Sequence, residues 1–257
     1  MFNQVAIAIR SSFKSPYLER SAECIETWGS YFNKNGSKVF SCFGIPDLGY
    51  LYKKVGDSFF SRVTDGKDGV FEKTVVNPCR WLANDSDKDY LFITDCDTFV
   101  HPRRFIEALY NNIKDFKEVD YIGCKFPCTT DFDHFTYQRL FIEPSNDFWA
   151  SGGSGFVLSK KAAKIIVDAF DSKDYLSYRG FNNGWFYYDD VFVANILSQK
   201  GIRLLHDSGF YFESPFNYSV VDLHQRPVPY ILDQSYLHTQ HYLSGKMNML
   251  MKELQIS

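Results

Sequence analysis

The run Tyr90-Leu91-Phe92-Ile93-Thr94, unbroken until it meets Asp95-Cys96-Asp97, constrains the fold more than any other feature of the chain. A short, continuous apolar stretch of this kind is a strand buried in a core. Val5-Ala6-Ile7-Ala8-Ile9 is a second such run. After it, Leu18, Ala22, Ile25, Trp28 and Phe32 recur at spacings of three and four, which predicts one face of a helix ending near Gly36. Lys38 to Phe43 then reads as another strand. Strand, helix and strand at this spacing predict a βαβ unit and a parallel sheet.

The same alternation continues downstream. Gly44 to about Lys73 is marked by several Gly and Asp residues and reads as loops. Pro102 opens a helix carrying Phe105, Leu109, Ile113 and Phe116 on one face, and Tyr121-Ile122-Gly123 is a short strand. Phe156-Val157-Leu158 runs into Ser159, an N-cap for a helix through Ala162, Ile165, Ile166, Ala169 and Phe170. Asp189 to Lys200 is acidic at its start and basic at its end with Gly201 just beyond, the signature of a helix whose dipole is complemented at both ends. Ile202 to Leu205 reads as a strand, the chain past His206 as irregular and aromatic, and Lys246 to Leu254 as a last helix. With no repeats, low-complexity tracts or linkers, the 257 residues are expected to form one α/β domain with a mostly parallel central sheet.

Composition removes several function classes. A net charge of -3, with Lys and Arg spread along the chain, leaves no electrostatic footprint for nucleic acid or an anionic membrane. No apolar run reaches the ~18 residues that a membrane-spanning helix needs. No signal peptide precedes the first strand, so Cys24, Cys42, Cys79, Cys96, Cys124 and Cys128 are expected as free thiols. Cys124 and Cys128 have no second pair with which to build a zinc site. Aromatic residues make up 18%, enough to leave rings for stacking on sugar faces after the core is filled.

Three constellations carry chemistry. Asp95 and Asp97 stand where a buried strand ends, the position at which ligands gather in open α/β sheets. Their oxygens suit Mg²⁺ or Mn²⁺, ions that also take phosphate oxygens and help a diphosphate depart. Asp85-Ser86-Asp87 and Asp131-Phe132-Asp133 share the spacing but follow no strand. An EF-hand is ruled out because Phe99 and Val100 fall where a ligand and a glycine are required. The second constellation is Trp149-Ala150-Ser151-Gly152-Gly153-Ser154-Gly155, whose glycines permit close backbone approach to a ligand and whose Trp149 could floor a sugar pocket. The third is Tyr187-Tyr188-Asp189-Asp190-Val191, an acidic pair at a helix start. It fits a carboxylate base for an attacking hydroxyl, and equally simple dipole complementation, which would lower its basicity. His238 and His241 are close in sequence without helical spacing, and either could add a nitrogen ligand to a metal.

Taken in order, these residues resemble the Fringe-like β1,3-glycosyltransferase superfamily, including the core-1 galactosyltransferases. Arg20 through Thr27-Trp28 resembles the family's Arg…Thr-Trp helix, and Glu72-Lys73-Thr74 with Trp81 its Lys-Thr…Trp segment. Phe92 to Val100 resembles the acidic DDD-T-x-V motif with Cys96 in place of the middle Asp. Tyr121-Ile122-Gly123 and Ser151 to Ser159 resemble the YIG and GGxGxxLS blocks, Asp189-Asp190-Val191 the (E/D)DV motif, and His241-Tyr242-Leu243 the late His-Tyr.

The resemblance implies a GT-A fold, a UDP-sugar donor, Mn²⁺ (or Mg²⁺) and inversion at the anomeric carbon, with a glycan or glycoconjugate as acceptor. It implies Asp97 and His241 as metal ligands, Asp95 on metal or donor ribose, and His238 as an alternative ligand. Lys73 and Arg20 fall on the donor side, in a nucleotide-sugar-binding part of about 1–123. Trp149, Gly152 and Gly153 fall in an acceptor-binding part of about 124–257. Asp190 is the first choice for the base and Asp189 the second. Without an anchor or stem, the expected compartment is the cytoplasm, free or peripheral to a membrane, and the Golgi lumen only for a trimmed chain. Two rivals remain in view. One is a non-catalytic, chaperone-like sugar-nucleotide or glycan binder on the same fold. The other is a nucleotidyltransferase, which Arg10-Ser11-Ser12-Phe13-Lys14 disfavours because it lacks glycines for a triphosphate loop.

Overall fold

In a computed structural model, the described residues are 1–44, 70–126, 137–144, 148–174, 188–211 and 229–256, with the backbone of 52–55 and 58–61. Cys128, Asp131, Asp133 and Tyr187 lie outside them. The strands are β1 (Val5–Arg10), β2 (Lys38–Gly44), β3 (Tyr52–Val55), β4 (Ser58–Ser61), β5 (Tyr90–Asp95), β6 (Phe99–Val100) and β7 (Tyr121–Gly123). They continue with β8 (Lys125–Phe126), β9 (Arg139–Ile142), β10 (Trp149–Ala150), β11 (Phe156–Ser159), β12 (Leu204–Asp207), β13 (Phe210–Tyr211) and β14 (Thr239–Gln240). The helices are α1 (Tyr17–Cys24), α2 (Ser30–Lys34), α3 (Asn77–Asp85), α4 (Pro102–Asp115), α5 (Lys160–Asp171), α6 (Asp189–Gln199) and α7 (Met247–Glu253). Single π turns, Ile25–Gly29 and Glu72–Val76, lead into α2 and α3.

Among the described residues the main sheet has the order β3-β4-β2-β1-β5-β11-β7-β12-β9. Strands β4, β2, β1, β5, β7 and β12 all run one way, so the sheet is mostly parallel, with β3, β11 and β9 reversed. Residues alternate between its faces. Ala6, Ala8, Leu91 and Ile93 join Phe40, Val75, Leu82, Ile166 and Ile196 in one apolar core. Val5, Ile7, Ile9 and Phe92 join Trp28, Phe32, Phe105, Leu109 and Leu250 in the other. Both faces are covered, which is why these strands are continuously apolar.

The chain leaves β1 toward β2 on one side and later returns to pair β5 on the other. This reversal of strand order opens a crevice beyond the carboxyl ends of β1 and β5. Register sets Arg10 opposite Asp95 at its mouth.

Three expectations need correction. The buried face of the first helix runs through Ser21, Cys24, Trp28 and Phe32, while Leu18 is 42% exposed. Ser21 can face the sheet because its hydroxyl is hydrogen-bonded to that of Ser41 on β2, and the π turn at Ile25–Gly29 shifts the helical phase after Cys24. The stretch expected to be loops contains β3 and β4, which pair antiparallel at the sheet edge. Edge strands bear polar residues, here Lys53 and Lys54, and so lack an apolar signature. The strand expected over 202–205 begins two residues later and ends at Asp207.

Other expectations hold. Ser159 caps α5, its Oγ accepting from the Ala162 N–H at 3.1 Å. The five described cysteines are free and buried. Among the described residues no helix is long and apolar enough to cross a membrane.

Gly155 joins the glycine-rich turn to β11 at φ +89°, and a Cβ there would lie 2.4 Å from two carbons of the Phe92 ring. Gly155→Ala combines left-handed strain with overpacking and is expected to destabilise the protein by about 2 kcal/mol or more. Denaturant unfolding checks this, and an unchanged midpoint would contradict it.

Candidate active site

Asp95 closes β5 and Asp97 follows in a turn whose Thr98 N–H donates to the Asp95 carbonyl at 3.3 Å. The Thr98 hydroxyl donates to the Gly153 carbonyl at 2.6 Å, tying this turn to the glycine-rich loop. Alternation turns Cys96 the other way, into the apolar core, where its carbonyl accepts from the Cys24 thiol at 3.2 Å. A cysteine can therefore stand between the two acids at no cost to them.

His241 arrives from 144 positions further along through a short antiparallel pairing. Thr239 pairs with Val100 and Gln240 with Phe99, so the next residue, His241, comes level with the Asp97 turn. The Leu243 N–H donates to the Asp97 carbonyl at 2.7 Å and fixes the join from the far side. Arg104 steadies the incoming segment by donating through one terminal nitrogen toward the carbonyls of Ile231 (2.8 Å), Gln234 (3.0 Å) and Leu237 (3.3 Å).

His241 Nε2 lies 2.8 Å from Asp97 Oδ1 and 3.4 Å from Asp95 Oδ2. One ligand atom from each of Asp95, Asp97 and His241 falls within 4.8 Å of the others. Burial opposes the charged imidazolium, but Asp97 and Asp95 outweigh it and raise His241 from 6.5 to about 9. Two carboxylates and one imidazole nitrogen converge at this spot. Together they form a donor set able to hold a divalent metal ion.

His238 is three residues from His241 in an extended segment, so its side chain leaves on the opposite face. Its Nε2 lies 3.7 Å from the buried Asp207, and its ring packs edge-on against Phe210 with centroids 4.5 Å apart. Burial first of all lowers its pKa. The structure thus brings His241, and not His238, to the aspartates.

Arg20 reaches the same group, its Nη1 3.4 Å from Asp97 Oδ2. Lys73 is buried, and its Nζ donates to the Ser11 carbonyl at 3.0 Å, beneath the chain leaving β1. Trp149 pairs with Phe126 through β10 and β8, the ring centroids 5.3 Å apart.

The acidic pair opens α6. Asp189 is held on both oxygens: Oδ1 accepts from Arg10 Nη1 at 2.6 Å and from the Asp190 N–H at 3.0 Å, and Oδ2 accepts from the Thr74 hydroxyl at 2.8 Å. Asp190 is partly exposed, with Oδ2 accepting from the Gly152 N–H at 3.0 Å and Oδ1 from the Val191 N–H at 2.9 Å. Its carboxyl is pushed up to about 7, first by burial and then by the charge of Asp189, against the pull of Arg10 and the two N–H groups. The dipole, expected from sequence to lower basicity, is outweighed.

Sequence reasoning missed Arg10 and Thr74. Arg10 ends β1 directly opposite Asp95, so the strand-end rule that singled out Asp95 could have found it. Thr74 sits inside the Lys-Thr segment of the resemblance and carried no further signal.

With this geometry in view, residues 72–251 match the model of the Fringe-like family, more than half of the chain, and the chain belongs to that family. It is a glycosyltransferase. No curated protein matches the chain. Among solved structures, it is similar to a 2-C-methyl-D-erythritol 4-phosphate cytidylyltransferase of Francisella tularensis, with 11% identity and a TM-score of 0.44 over 87% of this chain and 97% of that one. A 4-diphosphocytidyl-2C-methyl-D-erythritol synthase of Anaerococcus prevotii gives 8% identity and a TM-score of 0.43 over 84% and 94%. A glycosyltransferase involved in glycosylation of the major capsid of PBCV-1 gives 13% identity and 0.36 over 71% and 75%. Likenesses this distant carry no weight of their own.

Asp97→Asn and His241→Ala are each expected to weaken Mn²⁺ binding by about tenfold or more, and His238→Gln to leave it close to wild type. Titration calorimetry on the metal-free protein reads this directly. A larger loss in the His238 variant than in the His241 variant would reverse the assignment.

Proposed function

We propose that the protein is an inverting glycosyltransferase that moves a sugar from a UDP-sugar to a hydroxyl of a glycan or glycoconjugate. The observation that carries this reading is the convergence of Asp95, Asp97 and His241 at the strand-order switch, one guanidinium away from Asp189-Asp190. On this reading Asp95, Asp97 and His241 hold Mn²⁺ or Mg²⁺. When bound, the ion supplies positive charge to neutralise the departing diphosphate. Arg20 adds a second cation beside Asp97, and Lys73 supports the loop after β1 that faces the donor. Residues up to about 123 serve the nucleotide-sugar, and those from about 124 serve the acceptor. Trp149 with Gly152 and Gly153 shapes the sugar pocket.

Asp190 is the base. As the acceptor oxygen attacks the anomeric carbon, Asp190 takes its proton, the bond from that carbon to the diphosphate oxygen breaks, and UDP leaves with the electron pair. Both oxygens of Asp189 are engaged by Arg10, Thr74 and backbone, whereas among the described residues Asp190 is bound only by backbone N–H groups and keeps an exposed surface. A carboxyl raised to about 7 is also a competent proton acceptor near neutral pH.

Asp190→Asn is expected to lower kcat by about 10²–10⁴-fold while donor binding persists. In the wild type, kcat/KM should rise with pH through about 7, as the base must be ionised to act. UDP release from a panel of UDP-sugars with Mn²⁺, together with direct binding measurements, tests both. Absence of turnover with every donor and acceptor, with UDP still bound, would favour a non-catalytic binding protein.

A further inference from the structure

One side chain joins the two acidic motifs. Arg10 Nη2 lies 2.8 Å from Asp95 Oδ1 and Nη1 lies 2.6 Å from Asp189 Oδ1. The guanidinium is nearly enclosed, its side chain 11% exposed. The glycine-rich loop closes over it: a Cβ on Gly152 would lie 2.6 and 2.7 Å from the two terminal nitrogens. On the far side the Thr74 hydroxyl holds the other oxygen of Asp189. A planar, rigid fork packed in this way moves as one piece, so a shift at either carboxylate is carried to the other.

We propose that Arg10 is a positioning residue that couples the acidic pair at the start of α6 to the cation site at the end of β5. Its charge is shared between Asp189 and Asp95, and the hold of Asp189 on the fork sets how freely Asp95 can turn toward a cation. Asp189 thereby has a part distinct from that of its neighbour: it anchors Arg10 and leaves proton transfer to Asp190. The inference rests on the reading of Asp95, Asp97 and His241 as a cation site.

The direction follows from charge. With Asp189 neutralised, Arg10 has lost the partner that competes with Asp95 for it, and its grip on Asp95 tightens. A cation must then pull Asp95 away from a stronger rival, so it binds less well. The effect exists only while Arg10 is present to carry it. A simple long-range loss of negative charge would act with or without Arg10.

The test is the Mn²⁺ affinity of the full chain by calorimetry, without donor or acceptor, in the wild type, Asp189→Asn, Arg10→Gln and the double variant. Asp189→Asn should weaken Mn²⁺ binding by about fivefold or more in the Arg10 background. In the Arg10→Gln background the same change should alter it by less than about twofold. Arg10→Lys keeps the charge but lacks the fork, and as host in place of Arg10→Gln should reduce the coupling without removing it. Equal losses in all backgrounds, or no loss in the wild-type background, would overturn the inference and leave the cation site standing. A wild-type protein that binds no Mn²⁺ would instead bring down the cation site itself.

Discussion

The parallel pairing of β1 with β5 sets the geometry on which the rest of the site depends. It puts Arg10 and Asp95 side by side at the carboxyl ends of adjacent strands, where the strand order reverses and a crevice must open. Pairing of this kind is rigid because both sheet faces are packed, by Ala6, Ala8, Leu91 and Ile93 on one side and by Ile7, Ile9 and Phe92 on the other. Each large apolar side chain that is fully buried contributes roughly 1.5–3 kcal/mol. The site is therefore built at the ends of strands packed on both faces, and its loops are fastened to that base by hydrogen bonds such as Thr98 to Gly153 and Leu243 to Asp97.

Four carboxylates, Asp95, Asp97, Asp189 and Asp190, share this crevice with Arg10, Arg20 and His241. An exposed ion pair would contribute little, about 0–1 kcal/mol. Breaking a buried one by removing a single partner costs about 3–5 kcal/mol, because the remaining charge is stranded. Arg10, whose pKa is raised by Asp189, Asp95 and Asp190 against the cost of burial, belongs to the second kind. The outcome is an asymmetry between two adjacent acids: Asp189 pairs directly with Arg10, while the carboxyl of Asp190, one residue on, is pushed up by burial and by the charge of Asp189.

Much of this was legible in the sequence, for definite reasons. β1, β2 and β5 read as strands because burial on both faces leaves them no polar alternation, and Asp95 and Asp97 stood out because they end one of them. The antiparallel pair β3 and β4 was not legible, because the edge strand β3 is polar, with Lys53 and Lys54. The helical segment from Glu72 to Asp85 went unassigned, since a π turn breaks its period and its buried face includes Lys73, Thr74 and Asn77. The choice between His241 and His238 depends on β6 and β14, strands of two residues each that leave no pattern to read. Arg10 ends β1 as Asp95 ends β5, so its place at the strand ends was legible, but its tie to the start of α6 was not. A lone arginine after an apolar run is ordinary until Asp189 is folded back against it across 179 positions.

A crystal structure of the protein soaked with Mn²⁺ and UDP, with the anomalous signal of manganese recorded, tests the proposed cation site most directly. One strong anomalous peak is expected within bonding distance of Asp97 and His241, beside Asp95, with diphosphate oxygens nearby. A peak at Asp207 and His238 instead, or diphosphate bound in the crevice with no manganese beside these three residues, would contradict it.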